Sequence, residues 1–440
     1  MFDFGCLSGK KIAYTTLGCK LNFAETASIA SELKSYGAVK AEAGEKADIC
    51  IVNTCTVTEV ADRKGRQAIH KITRLHPDAL VVVTGCYAQL KHDDIAAIPG
   101  VDIVVGAEFK KQVIPMILMA LDEKNRQMMT TGMECDADKL FFPACSKGER
   151  TRFFLKVQDG CNYFCTYCTI PFARGRSRNG SISDIMKQVR EVEKCGGHEI
   201  VITGVNIGDF GRSTGERLID LLREMDKVEG IKRFRISSIE PNLLTDEIIE
   251  FCAGSRAFMP HFHIPLQSGS DEVLKLMHRK YDTEFFSNKI KTVKQMIPHA
   301  FIGVDVMVGC RGERPEYFER AFKFIDELPV SQLHVFSYSE RPGTKALDIP
   351  YTVSPKEKHE RSQRLIALSD QKTKEFYNYF KGTVRPVLFE HSRNHRLMAG
   401  FTDNYIRVEA PDNPEMYNTV QMVKLTDYNE KQETMKGVVL

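Results

Sequence analysis

The chain has 440 residues, of which 42% are hydrophobic and 27% charged, and its formal net charge at pH 7 is only +3. This composition is that of an ordinary soluble protein, and the length predicts two or three domains that each bury a core. The small net charge excludes nucleic-acid binding through overall attraction, so any such contact must come from local groups of cations.

Nothing in the sequence indicates a membrane or a secretory route. No run of about 18 uncharged apolar residues occurs, and residues 1–10 lack the basic start and apolar core of a signal peptide. The 13 cysteines are an odd number in a long chain, which is not the pattern of a secreted disulfide framework. We therefore expect a cytoplasmic protein without membrane contact.

Residues 1–121 are predicted to form an α/β domain with a doubly wound parallel sheet, because strand and helix patterns alternate along it. The strands are predicted over 11–19, 48–55, 80–86 and 101–106, and the helices over 22–36, 58–75 and 112–121. Residues 122–150 are polar and mixed, and they are predicted to be a linker. Cys135 and Cys145 lie in it and are assigned no role.

Cys19, Cys55 and Cys86 each stand at the carboxyl end of a successive predicted strand. In an open α/β sheet that edge is where ligands bind. One such cysteine would be interpreted as a buried core thiol, as we interpret Cys50 inside its strand. Threefold repetition of the placement favours a shared metal site.

Residues 151–381 are predicted to form a partial (β/α)6 barrel followed by a long exit helix over 354–380. The six strands are predicted over 152–158, 199–205, 232–239, 261–266, 301–308 and 332–338. Helices between them are predicted over 183–194, 218–228, 245–252 and 315–328. Function is expected at the carboxyl ends of the strands.

After the first of these strands, Cys161, Cys165 and Cys168 form a C-x₃-C-x₂-C motif with Tyr167 just before the last thiol. Such dense thiols in an intracellular chain are more often metal ligands than disulfides or incidental cysteines. The spacing is not that of a zinc knuckle pair. Three ligands suit a 4Fe-4S cluster with one open iron. The motif resembles the signature of radical S-adenosylmethionine (SAM) enzymes.

An enzyme of that type must hold SAM beside the cluster. The candidate contacts are polar residues that end the barrel strands, together with the aromatic beside the last cysteine: Thr203, Gly204, Ser237, Glu240, Gln267 and Tyr167. Tyr167 would pack on the adenine, with plain core packing as the alternative. The other turns are individually weak signals.

Two groups of arginines suggest an anionic partner. Arg174, Arg176 and Arg178 follow the cysteine motif with no acidic residue among them, which would suit phosphate oxygens; the alternative is an exposed loop. Residues 382–440 are predicted to form a small antiparallel β-barrel of the kind that often binds RNA, with strands over 384–390, 405–410 and 420–426. Arg393 and Arg396 are its candidate RNA contacts, although such groups are usually just solvated.

Together these features resemble the methylthiotransferase family of radical SAM enzymes over nearly the whole chain. The matching stretches are Thr16-Leu17-Gly18-Cys19-Lys20-Leu21-Asn22, Asn53-Thr54-Cys55-Thr56-Val57, Thr84-Gly85-Cys86-Tyr87-Ala88, the 161–168 loop, Arg174-Gly175-Arg176-Ser177-Arg178, Ser238-Ile239-Glu240-Pro241 and His263-Ile264-Pro265-Leu266-Gln267-Ser268-Gly269-Ser270.

The resemblance implies two 4Fe-4S clusters, the second of them on Cys19, Cys55 and Cys86. It also implies a TRAM-type RNA-binding domain at the C-terminus. One SAM would methylate a sulfur on the second cluster, and another would yield the radical that abstracts hydrogen from an unactivated carbon, so no general base is expected. A small reductant protein would supply electrons.

Lys20-Leu21-Asn22 resembles the family branch that modifies N6-threonylcarbamoyladenosine beside the anticodon of tRNA. The branches acting on isopentenyladenosine in tRNA and on a ribosomal-protein aspartate are the alternatives. A non-catalytic iron–sulfur or zinc RNA-binding protein is the alternative of a different class. One departure from the family is Cys310-Arg311, where relatives commonly carry Phe-Pro.

Overall fold

The computed structural model describes residues 4–122, 129–131, 141–146, 151–392 and 395–440. It confirms the predicted fold class, with an N-terminal parallel sheet, a central barrel-like α/β region and a closed C-terminal β-barrel.

The N-terminal sheet has the strand order β2-β1-β3-β4-β5-β6, and all its pairs are parallel. Its strands are β1 (Lys11–Thr16), β2 (Val39–Lys40), β3 (Ile49–Thr54), β4 (Leu80–Gly85), β5 (Ile103–Gly106) and β6 (Met129–Thr131). Its helices are α1 (Lys20–Ser35), α2 (Glu59–Leu75), α3 (Cys86–Leu90), α4 (His92–Ala96) and α5 (Val113–Asp122).

Two separate apolar cores cover the two faces of this sheet. Alternate residues of β3 and β4 enter different cores: Ile51 and Val82 pack with residues of α1 and α5, whereas Val52 and Val83 pack with residues of α2 and α4. Every residue of β3 and β4 is buried, as expected for parallel strands covered by helices on both faces. This double cover leaves the strand ends as the place for polar chemistry.

The described residues of the predicted linker include two short strands. Besides β6, the segment contributes β7 (Ala144–Cys145), which pairs antiparallel with the first barrel strand. Cys145 is buried there, and the main-chain N–H of this cysteine donates to Ser28 Oγ at 3.0 Å. Cys135 lies outside the described residues.

The central region is a partial barrel of six parallel strands in the order predicted. These are β8 (Arg152–Lys156), β11 (Glu199–Thr203), β12 (Arg233–Ile236), β13 (His261–Gln267), β14 (Phe301–Val308) and β15 (Gln332–Ser337). Isolated bridges from Phe234 to Phe258 and from Ser238 to His263 join its two halves. A small ribbon of β9 (Gln158–Asp159) and β10 (Arg178–Asn179) flanks the cysteine loop.

All but the first of the helices around these strands pack on one continuous apolar core, whereas the first packs through Ala173 beside Cys86 and Ala107. The helices are α6 (Ile170–Arg174), α7 (Ile182–Lys194), α8 (Leu218–Asp226), α9 (Asp246–Gly254), α10 (Asp271–Leu276), α11 (Thr283–Met296), α12 (Pro315–Glu327) and the exit helix α13 (Pro355–Tyr379). Ser354 and Glu357 form a capping box that starts α13. In the part of the chain that the structure describes, no helix is long and apolar enough to cross a bilayer.

The C-terminal barrel closes through five strands. These are β16 (Val384–Phe389), β17 (Leu397–Thr402), β18 (Arg407–Pro411), β19 (Val420–Asn429) and β20 (Thr434–Val439). The prediction of a small antiparallel β-barrel is confirmed: four of its strand pairs are antiparallel, and β18 and β20 pair in parallel to close it. The strands β17 and β20 were missed by the sequence analysis.

Buried arginines fix the three regions to one another. Arg235 on β12 donates to the carbonyls of Thr402 and Asp403 in the C-terminal barrel, at 2.7 and 2.8 Å, and ion-pairs with Glu199. Arg341, which follows β15, donates to Thr56 Oγ1 and Asp62 of the N-terminal domain, both at 2.7 Å. The residues next to Cys55 are thereby tied to the central barrel.

We expect Arg235→Met to loosen the C-terminal barrel and to destabilise the protein by about 3 kcal/mol or more, because Glu199 and two carbonyls lose a buried partner. Calorimetry should show a lower unfolding temperature, and hydrogen exchange should rise in β16 and β17. Arg217→Met, which removes an exposed pair with Asp220, is the control and should change both little. Unchanged exchange in the Arg235 variant would contradict this role.

Candidate active site

The three strand-end cysteines meet at one edge of the N-terminal sheet. Cys19 directly precedes α1, Cys55 follows β3, and Cys86 is the first residue of α3. Burial raises the pKa of the Cys55 thiol to about 11, and the neighbouring Cys86 and Cys19 thiols raise it too. The structure thus brings the three thiols together, and we call them the N-terminal triad.

Two glycines let these strand ends approach one another. Gly18 has φ +97°, and a Cβ there would lie 2.5 Å from Cys55 Cβ. Gly85 has φ +107°, and its Cβ would lie 2.3 Å from the carbonyl oxygen of Thr54. A side chain at either position would push the triad apart as well as strain the backbone.

Asn22 connects the same strand ends through its side-chain amide. Its Nδ2 donates to the carbonyls of Leu17 and Thr54, at 2.8 and 3.0 Å, and its Oδ1 accepts from Arg174 at 2.7 Å. The segments that carry Cys19 and Cys55 are therefore joined by one buried residue. Asn22 belongs to one of the matching stretches of the sequence, but no role was predicted for it.

The second group, Cys161, Cys165 and Cys168, lies in one loop, and we call it the loop triad. Burial raises the pKa of Cys161 and Cys168 to about 12 each, and Cys165 adds to both shifts. The main-chain N–H groups of Tyr163 and Ile170 donate to the sulfurs of Cys161 and Cys168, each at 3.4 Å. Such donors favour thiolates and hence metal binding.

The donor chemistry of both triads fits 4Fe-4S clusters. Each provides three neighbouring thiols, and metal coordination would deprotonate them despite the raised pKa values. Among the described residues, no group of three or more His, Cys, Asp or Glu side chains is arranged to hold a single metal ion. A 4Fe-4S cluster binds each thiolate through a different iron, so its ligands need not converge on one point.

Arg279 is a site residue that sequence analysis missed. Its Nη1 donates to Cys165 Sγ at 3.2 Å and contacts the Tyr167 hydroxyl at 3.4 Å, while its Nη2 ion-pairs with Glu240. Burial raises the pKa of Glu240, and Arg279 opposes that shift. Tyr167 itself is packed against Val273, Met277 and other apolar residues beside the loop.

The other predicted SAM contacts end neighbouring strands. Thr203 and Gly204 lead into a turn in which the N–H groups of Val205 and Asn206 donate to Gln158 Oε1, at 3.0 and 2.8 Å. Ser237 is buried at the end of β12, and its N–H donates to the Ile202 carbonyl. Gln267 has φ +69°, where the pairing of β13 with β14 shifts register.

Two further polar side chains of this edge carry buried atoms without a partner among the described residues. Asn206 is 3% exposed, and neither atom of its amide has a hydrogen-bond partner within the described residues. Asp209 Oδ2 is likewise unpaired there, and this carboxylate lies close enough to Cys161 to raise the pKa of that thiol. Because unpaired buried polar groups are costly, they indicate a polar ligand beside the loop triad.

The prediction of RNA contacts by Arg174 and Arg178 was wrong. Arg174 is 1% exposed, ion-pairs with Glu25 and Asp159, and donates Nε–H to Cys86 Sγ at 3.2 Å. Arg178 is also buried and pairs with Asp159. Both acidic partners are outside the arginine segment, so they were not considered.

Of the remaining predicted RNA contacts, Arg176 is exposed and lies 5.9 Å from the ring centroid of Phe164. Arg396 is also exposed, next to the start of β17. Arg393 lies outside the described residues.

Buried charges fill the junction between the two triads. We call this set the junction network, and its members are Glu25, Lys110, Lys156, Asp159, Arg174 and Arg178. It joins the N-terminal domain to the barrel, because Glu25 pairs with Lys156 of β8 at 2.7 Å and with Arg174 of α6 at 3.0 Å. Since α6 begins two residues after Cys168, the network physically connects the loop triad to Cys86.

Comparison with known proteins agrees with this geometry. The model of the uncharacterized protein family UPF0004 matches residues 11–106, and that of the Radical SAM superfamily matches residues 155–325. The threonylcarbamoyladenosine tRNA methylthiotransferase MtaB of Bacillus subtilis (strain 168) is 40% identical over 433 residues, which cover 96% of each chain. This chain belongs to the radical SAM methylthiotransferase family.

A second relative of the same name, from Aquifex aeolicus (strain VF5), is 35% identical and is covered over its whole length by 94% of this chain. Among solved structures, the radical SAM methyltransferase TsrM from Kitasatospora setae superposes with a TM-score of 0.57 over 77% of each chain. At 13% identity that match shows the fold alone. As a radical SAM methylthiotransferase, this chain is an enzyme whose superfamily uses a 4Fe-4S cluster and SAM.

The Cys310-Arg311 pair that departs from the methylthiotransferase pattern has defined surroundings. Cys310 is buried beside Val273 and Tyr338. Arg311 ion-pairs with Glu340 at 2.8 Å and donates to two carbonyls of the segment before α13. The pair therefore anchors the connection after β14.

Proposed function

We propose that this enzyme converts N6-threonylcarbamoyladenosine, beside the anticodon of tRNA, to its 2-methylthio derivative. The observation that carries the proposal is the pair of cysteine triads joined through α6 and Arg174. Insertion of sulfur at an unactivated carbon requires one group that carries sulfur and another that generates a radical. The 40% identity to a relative named for this substrate supports the choice of nucleoside.

In this proposal each triad holds one 4Fe-4S cluster through three thiolates, and the loop triad is the one that also binds SAM. When bound, the clusters and SAM supply the sulfur insertion and hydrogen abstraction. The side chains of the protein bind SAM and orient it. The unpaired amide of Asn206 and the turn at Thr203 and Gly204 would contact SAM, with Ser237, Gln267 and Tyr167 lining the same edge. The buried carboxylate of Glu240 would face a cationic group of SAM.

The partner in this proposal is a tRNA anticodon stem-loop. The exposed Arg176 near the loop triad and the C-terminal barrel with Arg393 and Arg396 would contact its phosphates. A small reductant protein would deliver electrons to the loop triad. We propose a cytoplasmic location, because the twelve cysteines within the described residues are all free thiols.

The test is mass spectrometry of tRNA nucleosides from a strain that lacks the gene, from the same strain complemented with it, and from one complemented with a Cys55→Ala variant. We expect the 2-methylthio form of N6-threonylcarbamoyladenosine to disappear, to return with the intact gene, and to stay absent with the variant. The unmethylthiolated nucleoside should accumulate in its place.

Other outcomes separate the alternatives. Loss of the isopentenyladenosine product instead would assign the enzyme to that branch, and a mass change confined to a ribosomal protein would assign it to the third. Failure of the purified, reduced protein to release 5′-deoxyadenosine from SAM would leave only a non-catalytic role.

A further inference from the structure

The junction network has more positive than negative charge. Its four cations face two carboxylates, and none of the six side chains is more than 4% exposed. The half-buried Glu108 lies at one end of the network, next to Gly175 and Arg178. A Cβ built on Gly175 would be 1.9 Å from Glu108 Oε1 and 3.5 Å from Arg178 Nη1. Even with that carboxylate included, the charges of the described residues leave the network with one more cation than anions.

Buried excess charge is unfavourable unless an anion balances it. On one side of the network three cations share one carboxylate, because Lys110, Lys156 and Arg174 all pair with Glu25.

That side faces the N-terminal triad. Arg174 donates Nε–H to Cys86 Sγ at 3.2 Å, and Lys110 donates to Asn53 Oδ1 at 3.2 Å and lies within electrostatic reach of the Cys86 thiol. A 4Fe-4S cluster held by three thiolates has a net negative charge, since the 2+ core does not cancel three sulfur anions. An anionic metal site at the triad would supply the missing charge.

We infer that the junction network is the counter-charge of the N-terminal triad, with Arg174 as the residue that positions and stabilises the metal-bound Cys86 sulfur. The inference rests on the proposed function for the presence of that cluster. One-electron reduction makes the site more negative, so an excess of cations favours the reduced state. The network should therefore set the reduction potential of the cluster.

The Lys110–Glu25 ion pair provides a matched test, because replacing either residue breaks the same ion pair but removes a charge of opposite sign. Lys110→Met removes a cation and should shift the potential of the N-terminal cluster to more negative values. Glu25→Gln removes an anion and should shift it to more positive values. Structural damage alone would not give potential shifts of opposite sign in the two variants. Arg174→Gln should shift the potential most, in the same direction as Lys110→Met.

The measurement is a dithionite titration of the reconstituted full-length enzyme, followed by electron paramagnetic resonance. A variant with Cys161, Cys165 and Cys168 replaced by alanine identifies the signal of the N-terminal cluster. Lys187→Met, which removes an exposed cation, should cause no shift. Arg174→Lys keeps the positive charge, so the potential of its N-terminal cluster should stay close to that of the wild type.

Shifts of one sign for Lys110→Met and Glu25→Gln, or no shift in either, would overturn the inference while leaving the proposed function intact. Absence of a second cluster from the wild-type protein would overturn both. If the variants shift the potential as expected but the enzyme makes no methylthiolated tRNA, the inference is supported and only the proposed function is refuted.

Discussion

Replacing Cys55 by alanine is expected to abolish methylthiolation while leaving the reductive cleavage of SAM in place. Cys55 contributes one of three thiols in the N-terminal triad, and the loop triad does not depend on it for ligands. Iron and sulfide, measured on protein reconstituted without oxygen, should fall from about eight to about four of each per chain. Formation of 5′-deoxyadenosine should continue.

The matched control lies five residues away, on the strand that leads to Cys55. Cys50 is fully buried in the apolar core beside α2, and Cys50→Ala should cost about 1 kcal/mol of stability without changing the iron count. If Cys55→Ala bound as much iron as the wild type, the N-terminal triad would not be a cluster site. If both variants lost iron equally, the loss would reflect unfolding.

Replacing Arg279 by glutamine is expected to slow the release of 5′-deoxyadenosine by about 100-fold or more. The substitution leaves Glu240 buried without its ion-pair partner, which typically lowers the free energy of unfolding by roughly 3–5 kcal/mol and displaces the carboxylate from its position. A 100-fold slower rate corresponds to a barrier higher by about 2.7 kcal/mol. The substitution also removes the donor to Cys165 Sγ. Liquid chromatography with mass spectrometry of the reaction products measures the rate.

The pH dependence of this variant has a definite sign. Burial already raises the pKa of Glu240 and Arg279 opposes the shift, so loss of the guanidinium should raise that pKa further. Glu240 then stays protonated up to a higher pH, so the acid limb of the pH–rate profile should shift to higher pH. A profile identical to that of the wild type would show that the Glu240 carboxylate does not matter for the reaction.

A double replacement separates the ion pair from the sulfur contact. Arg279→Gln with Glu240→Gln removes both charges, so the unfolding temperature should recover relative to Arg279→Gln alone. The rate should stay low, because the donor to Cys165 is still missing. Equal stability of the single and double variants would contradict a coupled buried pair.

The site residues that could be predicted are those that stand at the end of a recognisable strand or in a motif of fixed local spacing. Cys19, Cys55 and Cys86 were assigned to one site because parallel strands end at one edge of a sheet, and that rule requires only the strand pattern. The local spacing of the loop triad was sufficient by itself. Both inferences used features that the chain carries within a few residues.

The errors concern residues whose environment comes from distant segments. Arg174 and Arg178 stand in a glycine-containing segment without acids, which is typical of an exposed loop, yet Glu25, 149 positions from Arg174, pairs with it in the interior. Arg279 reaches Cys165 across 114 positions. The parallel closure of β18 with β20 is likewise decided by the last strand finding its place in the barrel, and not by any local pattern.

The contacts of Arg341 with Thr56 and Asp62 limit how a bulky nucleic acid gains entry. Both members of that ion pair are about nine-tenths buried, so swinging the N-terminal domain outward would strand a guanidinium and a carboxylate in the interior. A hinge that opens once per catalytic cycle is therefore disfavoured in this architecture. With that contact kept, the target nucleoside has to rotate out of its own RNA loop to reach the site.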